Sequence, residues 1–481
     1  MMSMTAIAPE VWIAGGMLLV VLLETLRPFV RDGTLAFAIP ASTLLALGLA
    51  AMSASFWTAA SQGIFFDGAI VVDPLSRLLV IFVAVTALLV AIYSIGDLER
   101  HGFGHGEYYA LLLSATLGIL AIVTGASVLV LFLGLELLSL SLYALVSIDR
   151  ERVIAAEAAM KYFFLGAIAS GILLYGLSLL YGLSGTLSLA MLPKMIAGLG
   201  GGDRVLFLFA TTFVIVALAF KFGAAPFHMW VPDVYEGSPT PITLLVGTIP
   251  ELGAIALIVR LLVAGLQPLS AQWMPMVLGV AILSLLVGNL AALTQSNFKR
   301  LLAYSAIGHV GFILLGIATG TIQGEIAAVY YTVIYVTMTL LAFGILLVLR
   351  ARARDVEDLD DLAGLSQIHP WWSLLMLFAM FSLAGVPPFV GFWAKLSILR
   401  ALLAEGEIGV AVFAVIMAVV GAFYYLRVVK IMYFDRVSSE QAVSVSWGIP
   451  EVILSVNGLA LIVMGLVPDA LWQLCAWAVH R

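Results

Sequence analysis

The stretch Ala219–Pro232, AFKFGAAPFHMWVP, places a lysine, a glycine and a proline inside a long apolar segment. A second apolar stretch, Leu383–Arg400, repeats the arrangement with Gly385, a proline pair and Lys395. A charge at the bilayer centre costs about 2.5–3.5 kcal/mol on insertion scales, so a lysine retained there indicates a functional site. A helix broken at membrane depth is tolerated only where protein or a water-filled cavity satisfies its freed backbone groups. The two stretches therefore predict a membrane protein that moves ions.

The composition is that of an integral membrane protein. The 481 residues are 63% hydrophobic and 10% charged, with a mean hydropathy of +1.15, whereas a soluble domain carries roughly 25% charged residues. The net charge of −6 comes with no basic patch that would indicate nucleic acid. Cys475 is the single cysteine, which excludes an internal disulfide, a cysteine-ligated iron–sulfur cluster and a thiolate zinc site. Among the six histidines, only His101 and His105 stand at i, i+4, and they lie in a glycine-rich loop, so we expect a solvated turn there rather than a metal site. We therefore expect an all-α membrane protein without a metal site.

Apolar runs of about 20 residues, divided at charged or Gly/Pro-rich boundaries, predict about fourteen transmembrane helices. We expect them near residues 8–29, 35–60, 74–96, 107–124, 127–148, 153–183, 204–230, 241–265, 273–294, 300–319, 324–349, 371–402, 408–434 and 448–477. The two interrupted stretches fall in the seventh and the twelfth of these helices.

The basic residues orient the chain, because Lys and Arg favour cytoplasmic loops. With the N-terminus outside, twelve basic residues collect at inside loops or helix ends, against four at outside ones. We therefore expect a multi-pass protein of the bacterial inner membrane with both termini in the periplasm.

This orientation makes the seventh and twelfth helices run in opposite directions, as an inverted repeat of five-helix units requires. We predict the two repeats at residues 107–265 and 266–434. Three helices at residues 1–106 precede them, and one helix at 435–481 follows.

Residues 350–361, RARARDVEDLDD, are the most charged stretch. They form either a solvated loop or a docking site for a peripheral partner on the cytoplasmic face.

Setting aside charges near helix ends leaves six ionisable residues as candidates for proton transfer: Glu136, Lys161, Lys221, Glu251, His309 and Lys395. Glu136 lies mid-helix, where its side chain cannot easily reach the membrane surface, and a structural ion pair is its alternative role. Lys161 lies some two turns inside the sixth helix, and snorkelling to the cytoplasmic interface is its alternative role.

The two lysines at the helix interruptions are the strongest of these candidates. Lys221 immediately precedes Gly223 and Pro226, which break the backbone hydrogen-bond ladder and leave carbonyls beside the ammonium. A lysine held between a carboxylate such as Glu136 and apolar surroundings can exchange protons. Lys395 stands just past GVPPFVGF, and we expect its spacing from that break to mirror the spacing of Lys221. Both are predicted to be proton carriers rather than substrate ligands.

His309, in AYSAIGHVGF, is a candidate proton relay because imidazole changes charge near neutral pH. A hydrogen-bonded core histidine is an equally good interpretation. The neighbouring hydroxyl groups also have two interpretations, since they can order water or serve as ordinary helix-packing groups. They belong to Tyr304, Ser305, Tyr330, Tyr331, Thr332, Tyr335, Thr337 and Thr339.

Four segments together resemble one protein family. They are AFKFGAAPFHMWVPDVYEGSPTPIT (219–243), GNLAALTQSNFKRLLAYSAIGHVGF (288–312), SLAGVPPFVGFWAKL (382–396) and AFYYLRVVKIMYF (422–434). They closely resemble the antiporter-like subunit N family of proton-pumping NADH:quinone oxidoreductase, respiratory complex I, and the resemblance extends from about residue 107 to 434. It implies two inverted five-helix repeats, a central hydrophilic axis along the membrane, and proton transfer driven by quinone reduction elsewhere in the assembly.

The resemblance also implies residue roles and partners. It matches Glu136, Lys161, Lys221 and Lys395 to the family's fifth-helix glutamate, sixth-helix lysine, seventh-helix lysine and twelfth-helix lysine. It implies a translocase subunit without a redox centre of its own, since partner subunits handle NADH, FMN, the iron–sulfur clusters and the quinone. The expected partners are other membrane-arm subunits, including another antiporter-like subunit and small membrane subunits, together with membrane lipids, protons and water.

One position departs from the family pattern. Members typically carry a Pro-Lys pair in the eighth helix, whereas GTIPELGAIALIVR places Glu251 where that lysine would be. Glu251 either pairs with Lys221, carries protons itself, or marks a divergent isoform with altered coupling. A purely structural role is the remaining alternative.

Other functions stay open beside the complex I hypothesis. One is a subunit of a multisubunit cation/proton antiporter or of a membrane-bound hydrogenase, families that are related through the same repeat. Another is a membrane scaffold that does not conduct. The segments VPDVYEGSPTPIT and TQSNFKRLLAYS favour complex I, and the cost of retaining intramembrane charges argues against a scaffold.

Overall fold

The computed structural model describes residues 2–29, 34–58, 61–102, 105–198, 201–351, 354–436, 443–445 and 447–480. Helices dominate the described part of the chain. They are α1 (Met2–Ala6), α2 (Ala8–Leu26), α3 (Thr34–Ser55), α4 (Pro74–His101), α5 (His105–Thr124), α6 (Val128–Val146), α7 (Val153–Ser184), α8 (Leu192–Ala197), α9 (Gly201–Lys221), α10 (Trp230–Gly237), α11 (Thr240–Val246), α12 (Ile249–Ile258), α13 (Ser270–Ala292), α14 (Phe298–Ala318), α15 (Ile322–Val348), α16 (Leu365–Ile368), α17 (Pro370–Ala384), α18 (Val390–Ala404), α19 (Ile408–Phe434), α20 (Ile449–Leu466) and α21 (Pro468–Val479). A π-helical turn, Val259–Gly265, continues α12.

The strands are few and short. β1 (Gly63–Phe65) pairs antiparallel with β2 (Ile70–Val72), with Gly63 opposite Val72. β3 (Arg350–Ala351) lies between β4 (Arg354–Asp355) and β5 (Val443–Ser444), antiparallel to both. These pairs join helices and do not form a layer of their own, so the predicted all-α membrane fold is confirmed.

Thirteen helical segments in the described part of the chain are long and apolar enough to cross a membrane. The remaining predicted span, 371–402, consists of α17 and α18 and is broken between Ala384 and Val390. The seventh predicted span is broken as expected, because α9 ends at Lys221 and α10 begins only at Trp230. The prediction of about fourteen spans, with breaks in the seventh and the twelfth, is therefore confirmed.

Two further interruptions were not predicted. The eighth span divides at Gly247 and Thr248, between α11 and α12. There the Thr248 hydroxyl donates to the Leu244 carbonyl at 2.6 Å, a side-chain bond that competes with the regular helix ladder. The last span, predicted as one helix over 448–477, consists of α20 and α21 with Val467 between them.

The charged stretch 350–361 is more than a solvated loop at its C-terminal end. Asp361 is buried, and its Oδ2 accepts from the backbone N–H groups of Glu357 and Asp358 at 3.3 and 3.1 Å. Glu357 pairs with the fully buried Lys299, whose Nζ lies 2.9 Å from Glu357 Oε1 and also donates to the Ser238 carbonyl at 3.0 Å. Residues 357–361 are thus packed against α14, which carries Lys299, and Lys299 is bonded in turn to Ser238 just after α10.

The chain divides into two compact units. The first comprises residues 1–221, 249–276 and 475–481, and in it α5 packs on α6, α7 on α9, and α2 on α3 and α5. The second comprises residues 222–248 and 277–474 and is built around α15, which packs against α14, α17, α18 and α20 and is buried almost throughout. The predicted repeat boundaries describe symmetry rather than packing, and they stay a prediction.

Glycine permits close helix packing in the first unit. A Cβ on Gly118 of α5 would lie 2.6 Å from the Gly134 carbonyl oxygen of α6, and a Cβ on Gly134 would lie 2.6 Å from the Gly118 oxygen. In membranes, where helices gain little from the hydrophobic effect, such backbone contact contributes much of the association. The α5–α6 contact in turn fixes the face of α6 that carries the first candidate residues.

Candidate functional site

Lys221 lies at the C-terminal end of α9 in a pocket of hydroxyl groups. Its Nζ is 2.8 Å from Ser139 Oγ on α6 and 3.4 Å from Ser170 Oγ on α7. The helix stops there because Gly223 has a left-handed backbone (φ +62°), at a point where a Cβ would lie 2.6 Å from Val231. A serine hydroxyl both donates and accepts, so it can hydrogen-bond an ammonium and a neutral amine alike. The pocket can therefore hold Lys221 in either protonation state.

Glu136 shares a helix face with the serine that binds Lys221. It lies one turn before Ser139 on α6, and such neighbours lie side by side. Its carboxylate interacts electrostatically with Lys221, although no direct ion pair joins the two among the described residues. Ser139 Oγ also donates to the Leu135 carbonyl at 2.7 Å. Glu136 and Lys221 are thus brought together with a fixed serine hydroxyl beside them.

Glu136 Oε1 is buried and has no hydrogen-bond partner in the described chain. Buried polar atoms are nearly always hydrogen-bonded, and an exception calls for a specific explanation. Glu136 Oε1 is such an exception and remains available to a further hydrogen-bond donor.

Glu251 lies in the first turn of α12 and is 8% exposed. The described residues contain no ion pair between Glu251 and Lys221. The N-terminus of a helix is the positive end of its dipole. Because α12 begins anew at Ile249, a carboxylate suits this position electrostatically, whereas a lysine would oppose the dipole. Like Glu136, it has one buried oxygen, Oε2, without a hydrogen-bond partner in the described chain.

Lys161 is set apart from this group. It lies on α7 with 44% of its side chain exposed, and its Nζ is 2.9 Å from Glu157 Oε1 one turn earlier. This exposure and pairing fit the alternative that Lys161 snorkels to the membrane interface. A role of Lys161 in proton transfer stays a prediction.

His309 lies between two tyrosines in the second unit. Its Nδ1 is 2.8 Å from the Tyr331 hydroxyl of α15, and its Nε2 is 3.0 Å from the Tyr425 hydroxyl of α19. The Tyr425 hydroxyl is also hydrogen-bonded to Ser305 Oγ on α14. A neutral imidazole has one donor and one acceptor nitrogen, and a tyrosine hydroxyl can complement either. The arrangement Ser305, Tyr425, His309, Tyr331 therefore forms a continuous chain along which a proton can pass.

Lys395 lies five residues inside α18 and is 9% exposed. Its Nζ donates to the carbonyl oxygens of Leu383 and Ala384 at 2.9 and 2.8 Å, and it lies 5.5 Å from the centre of the Phe312 ring. Those carbonyls end α17, where the last helical carbonyls lack intrahelical partners and the dipole is negative. Lys395 also lies within electrostatic range of His309. The two predicted residues of the second unit are thus brought together.

The expected mirror spacing of the two lysines is wrong. The motifs GAAPF (223–227) and GVPPF (385–389) correspond, and both glycines have positive φ, +62° and +84°. Lys221 stands two residues before its motif glycine, whereas Lys395 stands ten residues after Gly385. Lys395 compensates by reaching back across the break to the end of α17. Lys221 is the last residue of the helix before the first break. Lys395 follows the second break, and its side chain is hydrogen-bonded to the end of the helix before that break.

Arg260 is a further buried charge, absent from the candidate list. Its Nη1 and Nη2 each lie 3.1 Å from Asp73, and its Nε donates to the Val123 carbonyl at 2.7 Å. A fork-to-fork guanidinium–carboxylate pair of this kind is geometrically specific. Because its contacts are to a fixed carboxylate and a backbone carbonyl, Arg260 holds α4, α5 and the end of α12 together.

Sequence reasoning missed Ser139, Ser170 and Tyr425. The spacing of Ser139 from Glu136, one helical turn, was a usable signal, since it places both on one face. Tyr425 gave no comparable signal, because its contact with His309 spans 116 residues.

Comparison with known proteins places this architecture in a family. Residues 125–421 match the family described as NADH:quinone oxidoreductase/Mrp antiporter, TM. The chain belongs to this family. Among similar relatives, NADH-quinone oxidoreductase subunit N of Thioalkalivibrio sulfidiphilus is 45% identical over 477 residues, covering 98% of each chain. The protein of the same name from Acidithiobacillus ferrooxidans is 45% identical over 480 residues, covering 100% of this chain and 98% of that one.

Chains of two solved membrane complexes have the same fold as this chain. A chain of respiratory complex I from Thermus thermophilus with bound aureothin has a TM-score of 0.80 and 34% identity, over 97% of this chain and 99% of that one. A chain of the Mrp complex from Dietzia sp. has a TM-score of 0.81 at 21% identity, over 99% of this chain and 97% of that one. The second likeness concerns the fold alone.

Proposed function

We propose that this chain is a membrane-arm subunit of respiratory complex I that translocates protons, coupled to electron transfer from NADH to quinone in other subunits. One observation carries this proposal: relatives called subunit N are 45% identical to the chain over nearly its whole length. NADH, FMN, iron–sulfur clusters and quinone are assigned to partner subunits, and this chain contributes no redox centre. Its expected partners are another antiporter-like subunit and small membrane subunits.

The proton-transfer role rests on the intramembrane groups. Lys221 with Glu136, and Lys395 with His309, combine intramembrane ionisable side chains with hydroxyl groups that can pass a proton. Glu251 acts as an additional carrier in the first unit, in place of the family's usual lysine. The bacterial inner membrane, with both termini periplasmic, is the proposed location.

The assembly is tested by affinity purification from the native membrane. A tagged form of this chain is expected to recover a complex that oxidises NADH, reduces quinone and, after reconstitution into vesicles, builds a proton gradient when NADH is added. Recovery of a cation/proton antiporter or hydrogenase assembly without NADH oxidation would overturn the proposal. An antiporter remains the alternative because the Mrp complex shares the fold.

Glu251 is tested by two substitutions with opposite predicted outcomes. Glu251→Gln removes the titratable group and is expected to lower NADH-driven proton pumping, because an amide cannot carry a proton. Glu251→Lys restores a titratable group of the family's usual type and is expected to retain more activity than Gln. Pumping is measured in vesicles and normalised to assembled complex. Full activity in both variants would show that Glu251 is structural.

A further inference from the structure

A second site lies in a cavity of about 300 Å³ in the second unit, and its lining includes neither Lys395 nor His309. Side chains from α15, α18 and α21 line it, among them Tyr330, Trp393, Arg400, Asp469 and Trp472. Its volume is at the lower end for small-molecule sites. The cavity can therefore admit a headgroup and the adjoining part of a larger molecule.

The cavity opens at the ends of membrane-spanning helices. α15 begins at Ile322, α18 ends at Ala404 and α21 begins at Pro468. Helix ends lie at the level of lipid headgroups, and Trp and Tyr are enriched at that depth. Trp472 meets Tyr330 edge to face with ring centres 5.4 Å apart, and Trp393 Nε1 donates to the Gly465 carbonyl at 2.8 Å. The aromatic walls are thus held in fixed positions: Trp472 lies one turn from the start of α21, whereas Trp393 lies eleven residues before the end of α18, roughly 16 Å deeper than that end.

The polar groups of the cavity carry opposite charges. Arg400 and Asp469 are both exposed at its mouth, and they do not form an ion pair with each other within the described residues. Guanidinium groups bind phosphate through paired hydrogen bonds, and a carboxylate accepts hydrogen bonds from an ammonium group. Leu396, Ala401 and Ala404 supply apolar wall beside them.

We propose that this cavity binds a zwitterionic, ethanolamine-type phospholipid. Arg400 binds the lipid phosphate, Asp469 accepts hydrogen bonds from its ammonium, the Trp472 ring packs against the glycerol, and the deeper Trp393 ring packs against an acyl chain. A headgroup with only negative charge would satisfy Arg400 but would set its charge against Asp469. The charge pair therefore favours a zwitterion over an anionic lipid.

The proposal is tested by measuring lipid bound to the purified native assembly. Phospholipid retained after mild detergent extraction is quantified by mass spectrometry, and emptied protein is then titrated with phosphatidylethanolamine or phosphatidylglycerol. The wild type is expected to retain about one ethanolamine lipid more than Arg400→Ala or Asp469→Ala. Loss of either charged hydrogen bond should weaken rebinding about tenfold or more.

Two further variants make the result specific. Ala404→Trp fills the cavity mouth from an exposed position on α18 and should block rebinding without loss of a charge. Lys430→Ala removes an exposed cation that pairs with Asp435 elsewhere on the chain and should leave lipid retention unchanged. Equal retention in wild type, the charge variants and Ala404→Trp would overturn the proposal. Preference for phosphatidylglycerol, or a partner subunit's side chains filling the cavity in the assembly, would do the same.

Discussion

Replacing Lys221 with alanine is expected to slow proton transfer through this chain by about 100-fold, since positioned proton carriers contribute that much or more. Glu136→Ala should have an effect in the same direction, because it removes the carboxylate that interacts with Lys221. In the assembled complex, both changes should lower NADH-driven proton pumping and the quinone reduction coupled to it. Pumping is measured in inverted membrane vesicles and divided by the amount of complex present.

Lys221→Arg separates proton exchange from electrostatics. Arginine keeps the positive charge but is not deprotonated in proteins, so a proton carrier at this position is lost although the charge remains. We expect Lys221→Arg to pump nearly as poorly as Lys221→Ala. Normal pumping by the arginine variant would mean that Lys221 acts only as a fixed charge. Normal pumping by both Lys221→Ala and Glu136→Ala, in complexes that assemble normally, would show that neither residue is needed for proton transfer.

Two serines of α6 provide a matched pair for the same measurement. Ser139 and Ser141 are equally buried, at 3% exposure, but Ser139 binds Lys221 whereas Ser141 binds Ser114 Oγ at 2.8 Å. Ser139→Ala should lower pumping and shift its pH profile, because Lys221 then keeps only the longer contact to Ser170. Ser141→Ala should leave both unchanged.

Asp73→Ala is expected to destabilise the folded chain by about 3 kcal/mol, because it leaves Arg260 buried without its carboxylate. We take the lower end of the range for broken buried pairs, since the Asp73 side chain is 33% exposed whereas that of Arg260 is 9% exposed. The change also removes an N-cap, because Asp73 Oδ1 accepts from the Ser76 backbone N–H at 2.7 Å at the start of α4. The melting temperature of the purified protein in detergent measures the loss.

Asp73→Asn distinguishes the ion pair from the cap. Asparagine is as good an N-cap as aspartate, so this variant loses the charge and keeps the cap. Most of the destabilisation should therefore persist in Asp73→Asn. Combining Asp73→Asn with Arg260→Leu should recover part of it, since removing both partners of a buried pair costs less than removing one. A melting temperature unchanged by Asp73→Asn would show that the pair contributes nothing.

The same pair predicts a pH dependence. Burial raises the pKa of Asp73, but the charge of Arg260 and the hydrogen bonds from Arg260 and Ser76 together lower it by more. The pKa of Asp73 therefore lies below its ordinary value. A carboxyl with a depressed folded-state pKa stabilises the fold above its unfolded pKa, about 3.9, and loses that contribution as the pH falls through the folded-state pKa. The melting temperature of wild type should thus fall toward that of Asp73→Asn below about pH 4.

The positions of the helix breaks were predictable because their causes are local. Gly223 with Pro226, and Gly385 with its proline pair, interrupt a helix wherever they occur. The break at Gly247 was missed although its cause is also local, because Pro250 in the first turn of α12 lacks the backbone N–H that would bond to the Val246 carbonyl.

The sequence by itself determined a membrane-embedded all-α protein with ionisable side chains at two broken helices, since hydropathy, charge and helix-breaking residues act over a few positions along the chain. Only the tertiary structure decided the partners of those side chains. Lys221 meets Ser139 across 82 residues, His309 meets Tyr425 across 116, and Arg260 meets Asp73 across 187. Which helix faces meet depends on the packing of the whole unit, and no local pattern encodes it. For the same reason, the reach of Lys395 back to α17 emerged only in three dimensions, and so did the lack of an ion pair between Glu251 and Lys221 among the described residues.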